Sequence, residues 1–141
     1  MRFEHKFVEF IPKDLDDHVL YISIRFTTTV HKCACGCGHK TVTPLSPRDW
    51  KLIFDGKSIS LYPSIGNWNF PCQSHYWLNE NKIEWAPKWT KEEIKEGRKF
   101  SFEEKKRYYQ NNQLSDPAKI YGPKSPWWKF TWFFKKKPKN D

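Results

Sequence analysis

Three of the chain's four cysteines lie within nine residues, 31–39, whose sequence is HKCACGCGH. A thiolate zinc site is typically tetrahedral, and glycines allow a tight turn to bring backbone amides close to the sulfur atoms. Cys33, Cys35 and Cys37 can supply three ligands, because alternate residues of an extended chain point to the same side. The spacing lacks the usual Cys-x-x-Cys pair, so the site needs a further ligand from elsewhere in the chain.

The remaining cysteine, Cys72, follows the loop 66–71 and precedes His75 by three residues. A cysteine from this loop would close the site and cross-link two distant parts of the fold, which is the role of a structural metal. We therefore predict a Zn²⁺ site formed by Cys33, Cys35, Cys37 and Cys72. His31, His39 or His75 could instead replace one cysteine, and an open site with three protein ligands would be catalytic.

The length and the cysteine usage favour a single reduced domain. A chain of 141 residues can bury a core without disulfide bonds. Because no signal-peptide pattern precedes the clustered cysteines, we expect a cytoplasmic protein. No apolar run approaches the roughly 20 residues of a spanning helix, so we expect any membrane contact to be peripheral.

The formal net charge of +9 is unevenly distributed along the chain. Residues 1–87 contain 10 Lys/Arg and 9 Asp/Glu, a balance of +1, whereas residues 88–141 contain 15 and 7, a balance of +8. The basic field therefore belongs to the C-terminal third, and we expect no DNA binding by the domain as a whole. We predict a zinc-binding, β-rich domain over 1–87 and a C-terminal extension over 88–141 that is helical and then rich in aromatic residues.

Most of the first domain has the composition of β-strands. Residues 19–30, VLYISIRFTTTV, are dense in β-branched and aromatic side chains and predict one long strand that leads into the cysteine cluster. Turn sequences such as Asp55-Gly56 predict a meander of antiparallel strands farther along the chain. The predicted strands cover residues 6–11, 19–30, 41–45, 50–54, 58–62, 74–78 and 82–86. The expected fold is mainly β with C-terminal helices (α+β), a small antiparallel meander braced by zinc.

Two capping boxes mark the start of helices in the extension. Thr90 with Glu93, and Ser101 with Glu104, predict helices over 91–98 and 102–111, followed by an irregular segment over 112–126. The aromatic and basic segment 127–139 is expected to pack on the domain or to contact a partner. Peripheral contact with an anionic membrane and stacking on single-stranded nucleic acid are the alternatives.

A serine and a histidine in the segment 60–77, SLYPSIGNWNFPCQSHYW, form a second group of interest. If strands 58–62 and 74–78 are joined through the loop 66–71, Ser64 and His75 lie near each other. A hydroxyl beside an imidazole is the minimal pair of nucleophile and general base. We therefore predict Ser64 and His75 as catalytic residues, the alternative being that Ser64 caps a turn and His75 is a metal ligand or a core residue.

Two further residues could support that pair. Asn67, beside Gly66, could offer a donor to an oxyanion, and Glu84 in the next strand could orient His75.

The motifs resemble those of a bacterial family of domains of unknown function, over roughly residues 7–87. The shared motifs are Leu20-Tyr21-Ile22-Ser23, the H-x-C-x-C-G-C-G run from His31 to Gly38, P-S-I-G-N-W from Pro63 to Trp68, C-x-S-H-Y-W from Cys72 to Trp77, and Trp85. Members are small, cysteine-rich proteins often encoded beside ubiquitin-like proteins and E1-like and E2-like enzymes, and a peptidase role has been proposed for them.

The resemblance implies a zinc-associated protein that acts on, or beside, a ubiquitin-like modifier. Its motifs correspond to His31, Cys33, Cys35, Cys37, Ser64, Gly66, Asn67, Cys72 and His75. One hypothesis is a hydrolase that processes or deconjugates a ubiquitin-like protein, through Ser64 and His75 or through a zinc-activated water. The other is a non-catalytic, zinc-stabilised binding or adaptor module of the same pathway. Residues after 90 are not covered by the resemblance.

Overall fold

The structure, a computed structural model, describes residues 1–114, in which eight strands form two sheets and one helix follows. Contacts group Met1–Phe100 into one compact unit, and a second unit begins at Ser101. The predicted class, mainly β with helical structure towards the C-terminus, is confirmed. The first sheet contains β1 (Glu4–Phe7), β2 (Val19–Ser23), β3 (Thr28–Lys32) and β4 (Lys40–Pro44), in that order. The second contains β5 (Lys51–Phe54), β6 (Ile59–Gly66), β7 (His75–Asn79) and β8 (Lys82–Trp85), and the helix α1 is Lys91–Leu114.

The second sheet is the antiparallel meander that the turn sequences predict. The β5–β6 turn is held by the Asp55 carboxylate, which accepts hydrogen bonds from the backbone amides of Lys57 (2.8 Å) and Ser58 (2.6 Å). Gly56 adopts a φ of 92°, which a residue without a Cβ reaches at no steric cost. A register shift between Leu61 and Ile65 interrupts the pairing of β6 with β7, and Ser64 lies within it.

The first sheet departs from the sequence prediction in one respect. Residues 19–30 form two strands, β2 and β3, which pair antiparallel with Ser23 opposite Thr28. The chain reverses over residues 24–27 although the turn contains no glycine, proline or asparagine, and Thr27 takes a φ of 46°. The prediction of a single long strand was therefore wrong, because the composition of residues 24–27 is typical of a strand rather than of a turn. Strand β1 pairs parallel with β2, so the sheet is mixed.

Both sheets contribute to a shared core. Leu20 and Ile22 of β2 are fully buried together with Ile65 of β6, Tyr76 of β7 and Cys33, which follows β3. Burying an aliphatic side chain of this size contributes about 1.5–3 kcal/mol, so these contacts hold the two sheets face to face. The cysteine turn therefore begins inside the core of the molecule.

The helical prediction was right about the first start and wrong about the second. Thr90 and Glu93 form the predicted capping box, since the Thr90 amide donates to Glu93 Oε2 at 2.7 Å and the Glu93 amide donates to Thr90 Oγ1 at 3.2 Å. Helix α1 then continues through Ser101 to Leu114, so the second helix and the first residues of the expected irregular segment belong to one helix. No helix among residues 1–114 is long and apolar enough to cross a bilayer. The aromatic and basic segment 127–139, with the membrane contact considered for it, lies outside the described residues.

Candidate functional site

The four cysteines converge on one point between the β3–β4 turn and the β6–β7 loop. Their sulfur atoms all lie within 4.8 Å of one another, and no other group of histidine, cysteine or carboxylate side chains in residues 1–114 is arranged to hold a metal. The Sγ atom of Cys33 lies 3.4 Å from that of Cys35 and 3.9 Å from that of Cys72, and Cys37 Sγ lies 3.8 Å from Cys72 Sγ. Sulfurs bound tetrahedrally at 2.3 Å from zinc are about 3.8 Å apart, so this group could hold a metal ion of that size.

The turn that carries three of these cysteines depends on two glycines. Gly36 and Gly38 adopt φ values of 85° and 82°, and any residue with a Cβ at either position would strain the backbone. The turn is closed by the Cys33 amide, which donates to the His39 carbonyl at 2.8 Å, and the Cys37 amide points at Cys35 Sγ at 3.4 Å. Amides directed at sulfur favour the thiolate form that a metal requires.

Two of the three histidines considered as ligands, His31 and His75, are engaged elsewhere, whereas His39 contacts Cys37. His31 is fully buried, its Nε2 atom hydrogen-bonds to the Tyr76 hydroxyl at 2.8 Å, and burial lowers its pKa to about 4. His39 stacks on Phe70, with its Nδ1 atom 3.2 Å from Cys37 Sγ. Because His31 and His75 face other partners, the geometry favours the four-sulfur ligand set over the histidine alternatives.

The surroundings of the cysteines shift their thiol pKa values in different directions. Burial raises the pKa of Cys33 and raises that of Cys35 to about 12. Burial also acts to raise the pKa of the Cys72 thiol, but hydrogen bonds from the side chain and backbone of Ser74 outweigh it, and the pKa falls to about 7. The raised pKa values of Cys33 and Cys35 favour their thiol forms, so a metal bound by these two residues would displace their protons.

A buried polar network joins the cysteine turn to strand β7. The Asn67 side-chain amide lies 2.9 Å from Ser74 Oγ and 3.6 Å from Cys33 Sγ, and Ser74 Oγ is 3.0 Å from Cys33 Sγ. The same amide lies 3.4 Å from the Tyr76 hydroxyl. Asn67 is thus committed to buried partners, so the prediction that its amide donates to an oxyanion was wrong. Its amide instead contacts Cys33 of the cysteine turn and Ser74.

Ser64 and His75 are brought into hydrogen-bond contact. His75 lies at the start of β7, opposite Gly66 of β6, and its Nε2 atom is 2.9 Å from Ser64 Oγ. The Nδ1 atom of His75 is 2.9 Å from the Pro87 carbonyl oxygen. A carbonyl can only accept, so Nδ1 carries the ring hydrogen and Nε2 presents its lone pair to the serine hydroxyl. In this tautomer the imidazole can accept the serine proton.

Glu84 does not orient His75. In the β7–β8 pairing Glu84 lies opposite Trp77, and its carboxylate accepts a hydrogen bond from Asn79 Nδ2 at 3.2 Å. The position facing His75 across the pair is Ala86, whose amide donates to the His75 carbonyl at 2.9 Å. The prediction that Glu84 orients His75 was therefore wrong, because Glu84 lies two residues before Ala86, the residue that faces His75.

Aromatic rings enclose the His75 imidazole. Trp68 packs on it at a centroid distance of 4.9 Å and Trp89 at 5.1 Å, both edge to face, and the two indoles stack on each other at 5.2 Å with an interplanar angle of 16°. Gly66 allows this approach, because a Cβ there would lie 2.3 Å from the Trp68 ring. The rings restrict the rotation of the imidazole and exclude water from its faces.

Sequence reasoning missed Pro87, Trp68 and Trp89 as parts of the site. Pro87 contributes a backbone carbonyl, which every residue has, so no sequence signal marks it. The tryptophans did offer a signal, because four of the chain's eight, at 68, 77, 85 and 89, fall within 22 residues around His75.

Comparison with known proteins identifies the family of this chain. No curated protein and no solved structure matches the chain significantly. Residues 7–86, more than half of the chain, match the family model described as bacterial ubiquitination-like system serine protease (BubE). The matched region includes all four cysteines, Ser64 and His75. The chain therefore belongs to the BubE family of serine proteases of bacterial ubiquitination-like systems.

Proposed function

We propose that this protein is a serine protease in which Ser64 is the nucleophile and His75 the general base, acting on a ubiquitin-like protein in a bacterial conjugation pathway. The observation that carries the proposal is the hydrogen-bonded series from Ser64 Oγ through His75 to the Pro87 carbonyl, with both distances at 2.9 Å. A base that touches the nucleophile and is itself oriented by a third group is the arrangement that activates a serine.

The chemistry follows from the hydrogen positions. As Ser64 Oγ attacks the scissile carbonyl carbon, its proton passes to His75 Nε2, and the imidazolium then donates that proton to the leaving group. Water attacks the resulting acyl-enzyme in the second half-reaction, and His75 again accepts and returns a proton. The Pro87 carbonyl is neutral, so it fixes the tautomer and stabilises the imidazolium through its dipole.

The cysteine cluster acts as a structural zinc site in this proposal. Four sulfurs within 4.8 Å of one another would leave a tetrahedral Zn²⁺ with no position for water, which supports a structural role over a zinc-activated water. Sulfur ligands favour zinc over magnesium or calcium. Cys72 is three residues from His75, and Ser74 contacts Cys33, so the metal would hold the segment that presents the base.

The substrate is the ubiquitin-like protein of the pathway, either as a precursor extended at its C-terminus or as a conjugate. The family description supports a protease in such a system. Four free thiols, three of them in one turn, fit a reducing compartment, so we place the protein in the cytoplasm.

Labelling with a fluorophosphonate tests the nucleophile directly. We expect the wild type to be labelled once, at Ser64, and to cleave the extended precursor. Ser64→Ala should lose both activities while retaining its zinc and its melting temperature. Ser60→Ala, on the same strand, is the matched control and should keep both. A Ser64→Ala protein that still cleaves the precursor would contradict the serine mechanism, and a wild type that neither labels nor cleaves would favour the non-catalytic adaptor.

A further inference from the structure

The strand that carries Ser64 has an unpaired edge beside the nucleophile. Strand β5 begins at Lys51, opposite Tyr62, and pairs with β6 only over Ile59–Tyr62. Beyond Tyr62, β6 continues to Gly66, and in the described part of the chain its only strand partner there is β7. One edge of the segment Ser64–Gly66 is therefore left without a neighbouring strand.

A groove opens beside the first residue of β5, where β6 continues without it. It has a volume of about 410 Å³, and its lining includes Pro47, Trp50, Lys51, Tyr62 and Pro63. Most of this lining is apolar, and Tyr62 is 66% exposed. Because Pro63 is covalently bonded to Ser64, the groove reaches to within one residue of the nucleophile.

We propose that this edge binds an extended peptide segment of the substrate as an added strand, with one apolar side chain in the groove. The inference rests on the proposed function, since it assigns the substrate class of the same site. Main-chain hydrogen bonds to an unpaired strand edge supply affinity without regard to sequence, and pockets for alternate side chains supply specificity.

The chain offers the groups that this binding needs. Pro63 has no amide hydrogen, and successive residues of a strand direct their backbone groups to opposite edges, so the ladder to the peptide is made by the backbone groups of Ser64 and Gly66, while Ile65 faces β7. A peptide in this position lies beside the Ser64 hydroxyl, which His75 activates from the β7 side. The groove lining is mostly apolar, so an apolar side chain is the better occupant.

The substrate class follows from this geometry. A segment can add to a strand edge only if its own main chain is extended and unpaired over several residues. The site therefore selects a flexible tail rather than a folded surface, and residues on that tail near the scissile bond contact Tyr62.

Peptide phosphonates test the edge on the wild-type protein. The probes are an acetylated tetrapeptide diphenyl phosphonate with alternating Ala and Leu, the single-residue phosphonate, and the tetrapeptide N-methylated at one internal amide. Each reacts when Ser64 Oγ bonds to phosphorus, phenoxide leaves, and the serine proton passes to His75. We expect the tetrapeptide phosphonate to react at least about tenfold faster than the single-residue phosphonate. The N-methylated tetrapeptide should react about tenfold more slowly than the unmodified one, as expected for a lost backbone hydrogen bond. Equal rates for the three probes would overturn the proposal.

The variant Tyr62→Ala tests the groove. It should lower the rate with the tetrapeptide phosphonate about tenfold relative to the rate with a small fluorophosphonate, whereas Tyr109→Ala, an exposed tyrosine of α1, should leave the ratio of the two rates unchanged. An unchanged tetrapeptide rate in Tyr62→Ala would remove the groove from the site. A wild type that the small fluorophosphonate does not label would refute the proposed function instead. A concentration-dependent dimer that the tetrapeptide cannot dissociate would show that a second copy occupies the edge, and the proposal would fail.

Discussion

The Pro87 carbonyl oxygen lies 2.9 Å from Nδ1 of His75, so the imidazole that we propose as the base is oriented by the first residue beyond the segment that matches the family model. Two residues later, Trp89 packs against the same imidazole and against Trp68. Residues 87–89 thus complete the environment of the dyad. Trp89 is a positioning residue, since it acts on His75 rather than on the substrate.

Replacing Trp89 should affect the rate more than the binding of substrate. We expect Trp89→Ala to lower kcat about tenfold with little change in KM, because the imidazole loses a ring that restricts its rotation. Trp89→Phe should recover most of the loss, and Phe100→Ala, an exposed residue of α1, is the control. A change confined to KM would contradict the positioning role. The rate of fluorophosphonate labelling at Ser64 provides the same test without a substrate.

Metal content should separate the cysteines from the nearby histidine. We expect Cys72→Ser to bind zinc at least about tenfold more weakly and to melt at a lower temperature, because metal binding is linked to folding. His39→Ala should retain one zinc per chain, although His39 Nδ1 lies 3.2 Å from Cys37 Sγ. Zinc measured by mass spectrometry under native conditions checks both. Loss of zinc from His39→Ala alone would show that a histidine replaces a cysteine in the ligand set.

The buried hydroxyl of Tyr76 should contribute measurably to stability. Burial raises the pKa of this hydroxyl to about 12, and it hydrogen-bonds to His31 Nε2 at 2.8 Å. Tyr76→Phe leaves that nitrogen without a partner in the core, so we expect the free energy of unfolding to fall by about 1–3 kcal/mol. Tyr109→Phe, at an exposed position, should change it by less than about 0.5 kcal/mol. Urea unfolding measures both changes. Equal urea midpoints for the wild type and Tyr76→Phe would contradict the expected role of the hydroxyl.

The Asp55 turn should give the stability a pH dependence in acid. Backbone hydrogen bonds from Ser58 and Lys57 lower the pKa of Asp55 from 3.8 to about 2. Because the folded pKa lies below the unfolded one, the stabilisation is complete above pH 4 and is lost as the pH falls towards 2. Asp55→Asn should therefore flatten the melting temperature between pH 4 and 2 relative to the wild type. Asp14→Asn is the control, and an equal slope in the wild type and Asp55→Asn would refute the prediction.

The sequence predicted the parts of the fold whose turns have a chemical signature. Asp55-Gly56 marked the β5–β6 hairpin, and the capping box at Thr90 marked the start of α1. The turn over 24–27 has no such residue, so β2 and β3 were merged into one predicted strand. Its geometry comes from tertiary pairing, in which Ser23 faces Thr28, and local composition carries no record of that pairing.

The site was predictable where side chains carry the chemistry. The spacing of the cysteines predicted the cluster, and the order of the strands predicted that Ser64 lies near His75. The Pro87 carbonyl was not predictable, because its role depends on where the chain passes after β8. The role of Glu84 was wrongly predicted because the β7–β8 register places it two residues from the position that faces His75, and the sequence does not reveal this register.

The close approach of Trp68 to Gly66 links two positions in the evolution of this family. A Cβ at position 66 would lie 2.3 Å from the indole ring, so a side chain at 66 requires the Trp68 ring to move or to be replaced. In lineages that replace the glycine, we therefore expect the tryptophan to change position or identity, and His75 to lose the indole that covers it. The two positions are expected to vary together, so an alignment can show which relatives retain this enclosure of the base.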